Sequence, residues 1–506
     1  MDLVSSVFGS IAHWMDIQSL LLFTVLFLLI ADYVKNRRPS SFPPGPWALP
    51  FVGNIFTVRL MLLLLSQTSL QLTETYGDVY SLRMGQTWMV VLNGFQIVKE
   101  ALVTQGDSLA DRPILPLQMD VSRFLGETGL VFSNGHLWKQ QRRFALSTLK
   151  YFGVGRKSLE HAILDEFTYS GKNIADLKGK PFNPHLIINN AVSNIICSLV
   201  FGHRFEYEDE WFIKLIKRFD SALQIEASIW LYNSFPLLMR RLPGPHHTVQ
   251  QFWRETIEMI QSEIKEHKKD WNPAEPRDYI DCYLTEIQTV SDNAESTFNE
   301  ENLVMCTLDL FIAGSETTST TLRWAFLYMA KYPEIQEKVQ AEIDRVIGQS
   351  RQPSMMDRAN LPYTDAVIHE VQRIGNIVPL SLPHSTNKNI QLGDYTVPKG
   401  VVIIPNLTSV LFDKREWETP YTFNPGHFLN EEGKFVKRAA FIPFSAGKRV
   451  CLGENLARME IFLFFTSFMQ QFTFSMPAGM KPVLDYCFGI TLAPAPYEIC
   501  ATLRRE

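Results

Sequence analysis

The stretch Phe444-Ser445-Ala446-Gly447-Lys448-Arg449-Val450-Cys451-Leu452-Gly453 constrains this chain more than any other, and within it Cys451 does. One cysteine lies between two glycines, two residues after an arginine and seven after a phenylalanine. Gly447 permits a turn with positive φ, and Gly453 lets the backbone approach closely. The run 452–458 has a helical pattern, which puts Cys451 near a helix N-terminus. Unpaired N–H groups and the helix dipole there favour a charged sulfur, so a lowered thiol pKa is expected. Such a loop suits the presentation of one thiolate to a large flat cofactor. An isolated cysteine is more often a small buried hydrophobe, so the surrounding pattern carries the weight.

That pattern, Phe-x-x-Gly-x-Arg-x-Cys-x-Gly, resembles the cytochrome P-450 superfamily, the heme-thiolate monooxygenases, and the resemblance extends over nearly the whole chain. It implies a mainly α fold with small β-sheets, in which heme b lies between a long central helix and the cysteine loop. It also implies that Cys451 is the axial iron ligand, with Phe444, Arg449 and Gly453 around the cofactor. A thiolate ligand pushes electron density onto iron and favours O–O cleavage.

Composition agrees with a large apolar interior: 46% of the 506 residues are apolar and 35 are phenylalanine. The net charge of −5 is spread along the chain, which gives no sign of nucleic-acid binding. The six cysteines form no Cys-x-x-Cys and no close pair, so the chain reads as reduced and cytosol-facing.

Residues 17–31 carry no charge and are rich in Leu, Phe, Val and Ile; Lys35, Arg37 and Arg38 come next. Tyr33 and Val34 extend the span past Asp32, whose carboxylate is expected to reach the membrane interface. A basic cluster, not a small-residue cleavage site, ends the run, which argues against a cleaved signal peptide. The positive-inside bias places the chain beyond Lys35 in the cytosol. The expected organisation is an N-terminal signal-anchor over 1–34 and a basic, proline-rich hinge over 35–50. A heme-thiolate catalytic domain over 51–506 would face the cytosol from the endoplasmic reticulum membrane. Pro39 and Phe42-Pro43-Pro44-Gly45-Pro46-Trp47 read as a stiff extended spacer. The run at 60–65 and the segment 229–242 divide between core and membrane contact.

Within the body, 334–347 shows helical periodicity, and short β-rich runs concentrate at 79–91 and 390–404. The long helical pattern 303–327 contains Ala313-Gly314-Ser315-Glu316-Thr317-Thr318. Glycine and consecutive threonines are unfavourable inside a helix, so a locally opened turn with a freed carbonyl near Ala313 is expected. The segment resembles the family's Ala-Gly-x-Glu-Thr motif, which implies that Thr317 hydrogen-bonds activated oxygen and that Glu316 relays protons to it.

Glu370 and Arg373 stand three apart on one helical face. They resemble the family's Glu-x-x-Arg pair, with His427 in Asn424-Pro425-Gly426-His427-Phe428 where an arginine is often the third partner. The resemblance makes these three scaffold residues, with a lock whose charge depends on pH. Trp138 and Arg142 share a helical face at i and i+4, and with Arg112, His384 and Arg449 they match positions that clamp heme propionates. Lys139, Arg143 and Lys448 would form a basic surface for an acidic electron donor.

By position, the substrate pocket is expected from Leu115, Met119, Phe124, Phe311, Ile312, Ala313, Ile377, Val378, Leu380, Leu382 and Ile490, with the stretch 219–223 contributing. Closer resemblance runs to microsomal family two through Asn189-Asn190-Ala191-Val192-Ser193-Asn194, Thr320-Thr321-Leu322-Arg323-Trp324 and Val367-Ile368-His369-Glu370-Val371-Gln372-Arg373. The match over 332–348 points to its J subfamily and fish relatives. That group is associated with epoxidation and hydroxylation of arachidonate and other polyunsaturated fatty acids, and with xenobiotic oxidation. The implied partners are the NADPH–cytochrome P-450 reductase, cytochrome b5, the bilayer and a lipophilic substrate. No GxGxxG with a suitable acidic residue occurs, so NADPH acts through the reductase. Alternatives are an isomerase or peroxygenase acting on lipid hydroperoxides, and a non-catalytic membrane heme-binding protein. The Glu316-Thr317 pair argues for oxygenation.

Overall fold

The computed structural model describes residues 17–57, 67–121, 127–210, 212–218, 230–293, 295–489 and 491–504. Phe124, Ile490, the leucine run at 60–65 and the stretch 219–223 lie outside them. The helices that position the site are α1 (Ile17–Lys35), α2 (Pro116–Val121), α3 (Gly135–Tyr151), α4 (His185–Val200), α5 (Trp230–Ser234) and α6 (Pro236–Met239). They continue with α7 (His246–Asp270), α8 (Glu300–Lys331), α9 (Pro362–Gly375) and α10 (Glu454–Gln471).

Helix α8 organises the core because it is apolar on nearly every side. Its N-cap Asn299 accepts the Asn302 amide, Glu300 and Glu301 occupy the first turn, and Lys331 the last, all in the sense the helix dipole favours. The helix is continuous through Ala313–Thr318, which corrects the expected open turn. Gly314 serves packing instead: a Cβ there would stand 2.8 Å from Ile196 Cδ1 on α4, so only glycine lets the two helices approach this closely. Across α8, the aromatic face of α10 closes the core, with Phe326 and Phe468 rings 5.2 Å apart.

The main sheet has strand order β1-β2-β6-β3. Strands β1 (Val79–Met84) and β2 (Thr87–Leu92) form an antiparallel hairpin. Strand β6 (Val402–Pro405) lies parallel to β2 and antiparallel to β3 (His384–Ser385). Three further pairs are two-stranded: β4 (Ile390–Leu392) with β5 (Tyr395–Val397), β7 (Phe472–Ser475) with β10 (Cys500–Leu503), and β8 (Tyr486–Phe488) with β9 (Leu492–Pro494). Strands β1, β2, β4, β5 and β6 coincide with the expected β-rich runs while β3 lies outside them, and the chain is mainly helical with small sheets.

Among the described residues, α1 is the one helix long and apolar enough to cross a membrane, and its Leu, Phe, Val and Ile side chains from Leu20 to Ile30 are exposed apart from the half-buried Leu29. One expectation about its junction changes. Asp32 does not reach outward: it is buried in an ion pair with Arg83 of β1. The proline-rich segment is tied to the body. Phe42 is buried against Trp88, and the Pro44 carbonyl accepts the Ser81 amide at 2.6 Å. Arg38 donates to the carbonyls of Gly45 and Pro46. The segment is extended but stapled along β1.

Candidate functional site

A cavity of about 410 Å³ opens between α8 and the cysteine loop. Cys451 forms part of its wall, and its side chain is exposed to the cavity. The loop folds back because the Cys451 amide donates to the Phe444 carbonyl at 3.0 Å. Gly447 has φ of 75°, and a Cβ there would fall 1.7 Å from the Leu102 carbonyl oxygen, so this turn requires glycine. Arg458 lies over the Phe444 ring at 4.9 Å and fixes the start of the loop. Helix α10 begins at Glu454 with Gly453 as its N-cap, two residues later than the helical pattern implies. The thiol pKa is raised, not lowered: burial by the surrounding wall outweighs the Gly453 and Glu454 amides and the charge of Arg142.

Three guanidinium groups converge on the same cavity. Trp138 and Arg142 project from one face of α3, with the Arg142 guanidinium 6.0 Å from the Trp138 ring and Nη2 donating to the Val450 carbonyl at 2.5 Å. Arg449 stacks over the same ring at 4.0 Å and donates to the carbonyls of Ala110 and Ser133. Arg112 donates to the carbonyls of Leu382 and Pro383. Burial, then mutual repulsion, pushes Arg112 and Arg449 down to about 9.

This donor set fits a heme. A buried cluster of like charges is stabilised by anions placed beside it, and two propionates supply two of them. Arg112 Nε and Trp138 Nε1 are buried without a hydrogen-bond partner, so unspent donors remain at that edge. Cys451 offers a soft ligand atom beside them. His384, expected in the clamp, is buried behind the wall with Nδ1 against the Leu109 carbonyl at 2.7 Å. Burial, then Arg112, pushes it down to about 3. It backs the cluster as a neutral ring.

On the opposite side, Ile312, Ala313, Glu316 and Thr317 of α8 line the cavity. Thr317 Oγ1 donates to the Ala313 carbonyl at 2.8 Å, so that carbonyl is engaged by the hydroxyl, contrary to the freed carbonyl expected. Glu316 is buried, and its Oε1 accepts from Thr320 and Thr491 at 3.0 and 2.8 Å.

Ile377, Val378 and Leu382 complete the apolar lining. Other expected pocket residues lie elsewhere. Phe311 faces α4, 5.9 Å from the Phe201 ring, because it sits on the far side of α8 from Ala313. Leu380 packs against the Tyr80 and Leu82 face of the sheet, the chain turning at Ser381 with φ of 55°. Leu115 and Met119 are half-buried outside the lining; helical spacing in α2 turns Leu117, Gln118 and Val121 inward instead.

Two carboxyls of the cavity wall had no signal in the motifs. Asp309 accepts the amides of Leu130 and Val131 at 2.6 and 3.0 Å, and tethers the α2–α3 connection to α8. Glu460 of α10 is buried, with Thr318 of α8 as its hydrogen-bond partner. Only a search for charged residues at core-facing helix positions would have flagged them.

Away from the cavity, Arg373 grips both oxygens of Glu370 at 2.7 Å, and all atoms of the pair are buried. Its other donors go to the carbonyls of Leu411, Pro420 and Thr422. His427 Nδ1 lies 3.2 Å from Glu370 Oε2, while Nε2 accepts the Thr419 amide. His427 thus bridges the Glu370 carboxylate and the Thr419 amide, inside the same buried lock. Lys139 and Arg143 are exposed on the outer side of α3; Lys448 is exposed but paired with Asp107 at 3.3 Å.

A family model described as cytochrome P450 matches residues 43–501. The chain is 52% identical to cytochrome P450 2J2 of Homo sapiens, over 96% of each chain. It is 49% identical to cytochrome P450 2J1 of Oryctolagus cuniculus over 99% of each. It is 46% identical to cytochrome P450 2D10 of Mus musculus, over 96% of this chain and 98% of that one.

Proposed function

The chain belongs to the cytochrome P450 family, a family of heme-thiolate monooxygenases that draw electrons from NADPH through a reductase, and from that premise we propose an oxygenase of arachidonate and other polyunsaturated fatty acids. In this reading it epoxidises and hydroxylates them, and oxidises lipophilic xenobiotics, at the cytosolic face of the endoplasmic reticulum. The observation that carries the reading is the cavity itself: apolar over most of its wall, with a thiol and cationic edge on one side and Glu316-Thr317 on the other. The J-subfamily resemblance of 332–348 and the similarity to the 2J relatives support the fatty-acid class.

Cys451 would hold a heme through its thiolate, and that group would supply oxygen activation, the thiolate raising electron density at iron. Arg112, Arg142, Arg449 and Trp138 would hold its propionate edge by charge-assisted hydrogen bonds. Ile312, Ile377, Val378 and Leu382 orient an apolar chain and exclude water, without fine chemical selection. The Thr317 hydroxyl, bonded to the Ala313 carbonyl at rest, turns about χ1 to direct its O–H into the cavity. Glu316, buried behind it between Thr320 and Thr491, holds the next proton of that path. Lys139, Arg143 and Lys448 steer an acidic reductase to the outer side of the thiolate. The exposed apolar stripe of α1 fits a membrane span, and Leu237 and Leu238 of α6 fit a second contact with the same bilayer.

Reconstitution in microsomal vesicles with the reductase, NADPH and arachidonate tests the reading. Epoxides and hydroxy acids formed only with NADPH are expected. Turnover of lipid hydroperoxides with none from NADPH would overturn it in favour of an isomerase or peroxygenase. A reduced carbon-monoxide spectrum without the thiolate-type band would remove the Cys451 assignment.

A further inference from the structure

Helix α2 is a cavity wall on one face and a clamped element on the other. Leu117, Gln118 and Val121 face the cavity. The Leu117 amide donates to Asn233 Oδ1 of α5 at 3.0 Å. Asp120 is gripped by the residue directly after α6: Arg240 Nε donates to Oδ2 at 2.7 Å and Nη2 to Oδ1 at 2.6 Å. The Tyr232 hydroxyl donates to the same carboxylate, and Gln250 of α7 donates to that hydroxyl at 3.3 Å. Beneath this latch, Leu117, Tyr232 and Val249 are buried together with Met239 and Trp253, and Trp253 is itself part of the cavity wall.

Arg240 holds a carboxylate in the two-pronged geometry a guanidinium prefers. It is also half exposed, at 47%, beside the outward-facing Leu237 and Leu238. A charged group there is reachable by an amphiphile arriving along an apolar surface. Inside, the cations among the described cavity-lining residues are Arg112, Arg142 and Arg449, all at the propionate edge. Beyond that edge, a counter-ion for a long-chain acid has to come from outside the lining, and Arg240 stands next to it, bonded to Asp120 of α2.

We propose that Arg240 recognises the carboxylate of long-chain acids, and that Asp120 is its internal stand-in. The incoming acid takes the Arg240 fork, Asp120 is released, and α2 moves off α5 and α6 to admit the chain. One carboxylate replaces another on the fork, so Arg240 keeps a counter-ion while the released Asp120 passes to solvent. The Arg240 side of the pair is open to solvent, which weakens its hold on Asp120. The inference rests on the fatty-acid reading above.

The test uses full-length holoenzyme in phosphatidylcholine vesicles. Binding of dodecanoate and arachidonate, each beside its methyl ester, is read from the shift of the heme absorption band. Arg240→Gln is expected to lower the acid-to-ester affinity ratio roughly fivefold for both chains. Arg240→Lys, which keeps the charge but loses the fork, restores part of it. Asp120→Asn raises the ratio, since the fork no longer has an internal competitor. Acids, and not esters, accelerate amide exchange over residues 116–121. An unchanged ratio in Arg240→Gln, or a lowered one in Asp120→Asn, overturns the proposal. Arachidonate that is not turned over, with an Arg240-dependent ratio for dodecanoate, sinks the substrate reading and leaves this one standing. Turnover of arachidonate with acid binding independent of Arg240 does the reverse.

Discussion

Asp32 and Arg83 are 51 residues apart in sequence and form a 3.1 Å ion pair whose side chains are 5% and 4% exposed. Asn36 donates to the other Asp32 oxygen, and Arg83 also donates to the Leu49 carbonyl. The last turn of the apolar helix is thereby fixed to the first strand of the body, and Lys35 adds a bond to Gln86 at 3.0 Å. Removing one partner of a buried pair leaves an uncompensated charge, at a cost of about 3 kcal/mol or more. Arg83→Met is expected to release the junction, seen as faster amide exchange over 36–50 in vesicles. The double variant Asp32→Asn with Arg83→Met exchanges more slowly than Arg83→Met alone, because no charge is then stranded. Equal exchange in all three proteins would show that the pair does not hold the junction.

The Glu370–Arg373 pair makes a second, more severe prediction. Arg373 satisfies three carbonyls besides the carboxylate, so its loss strands those acceptors as well as Glu370. Arg373→Ala is expected to cost about 3–5 kcal/mol and to yield protein that retains little heme. His427→Ala, which removes one hydrogen bond to the same carboxylate, costs about 1–3 kcal/mol and still folds. Guanidinium unfolding with heme release as a second probe ranks the two; an inverted order contradicts the geometry.

Asp309 and Glu460 give the protein a pH signature. Burial pushes Asp309 up to about 7 against the Val131 and Leu130 amides, and pushes Glu460 up to about 8 against Thr318. In the folded chain both bind a proton at pH values where the unfolded chain has lost it. Their contribution is complete below the ordinary carboxylate range and is lost as pH rises through about 7 and 8. Stability then falls by up to about 1.4 kcal/mol per pH unit for each group. Unfolding midpoints measured between about pH 5 and about pH 8 are expected to decline in the parent protein. They flatten in the Asp309→Asn, Glu460→Gln double variant, and the same decline in both would contradict the burial argument.

Legibility in the sequence was local. Cys451 stands out because its glycines and arginine lie within a few residues, and Trp138 with Arg142 because helical spacing alone puts them on one face. Glu370 and Arg373 pair for the same reason. The Asp32–Arg83, Asp120–Arg240 and Asp309–Leu130 contacts join segments far apart in the chain, and no periodicity marks them. Gly314 shows a subtler limit. Glycine is unfavourable in a helix, but the compensation is the close approach of α4, which only tertiary packing reveals. Phe311 and Leu380 are neighbours in sequence of lining residues, yet helix phase and a turn at Ser381 send them to the opposite side.

Thr317 offers the sharpest test of the proposed proton path. Among the described residues its hydroxyl bonds within its own helix, to the Ala313 carbonyl, and Thr321 Oγ1 in turn donates to the Thr317 carbonyl at 2.9 Å. Replacing Thr317 with alanine therefore removes one O–H from the cavity while keeping a good helix former in a helix whose other faces are packed. Heme content and substrate affinity are expected to stay within about twofold, since a surface or helix-interior change without a lost cap or cavity has a small effect. The change falls on the use of electrons. Without the hydroxyl, the path from Glu316 would lack its last donor and protons would come from water, so reducing equivalents are expected to leave as hydrogen peroxide. General acid–base groups contribute about 10²-fold or more, so product formed per NADPH should drop by at least about tenfold while NADPH consumption continues. Thr317→Ser, which keeps the hydroxyl, restores most of the coupling. Simultaneous assay of NADPH loss, peroxide and oxygenated product in the reconstituted system decides the matter: unchanged coupling in Thr317→Ala removes Thr317 from the proton path.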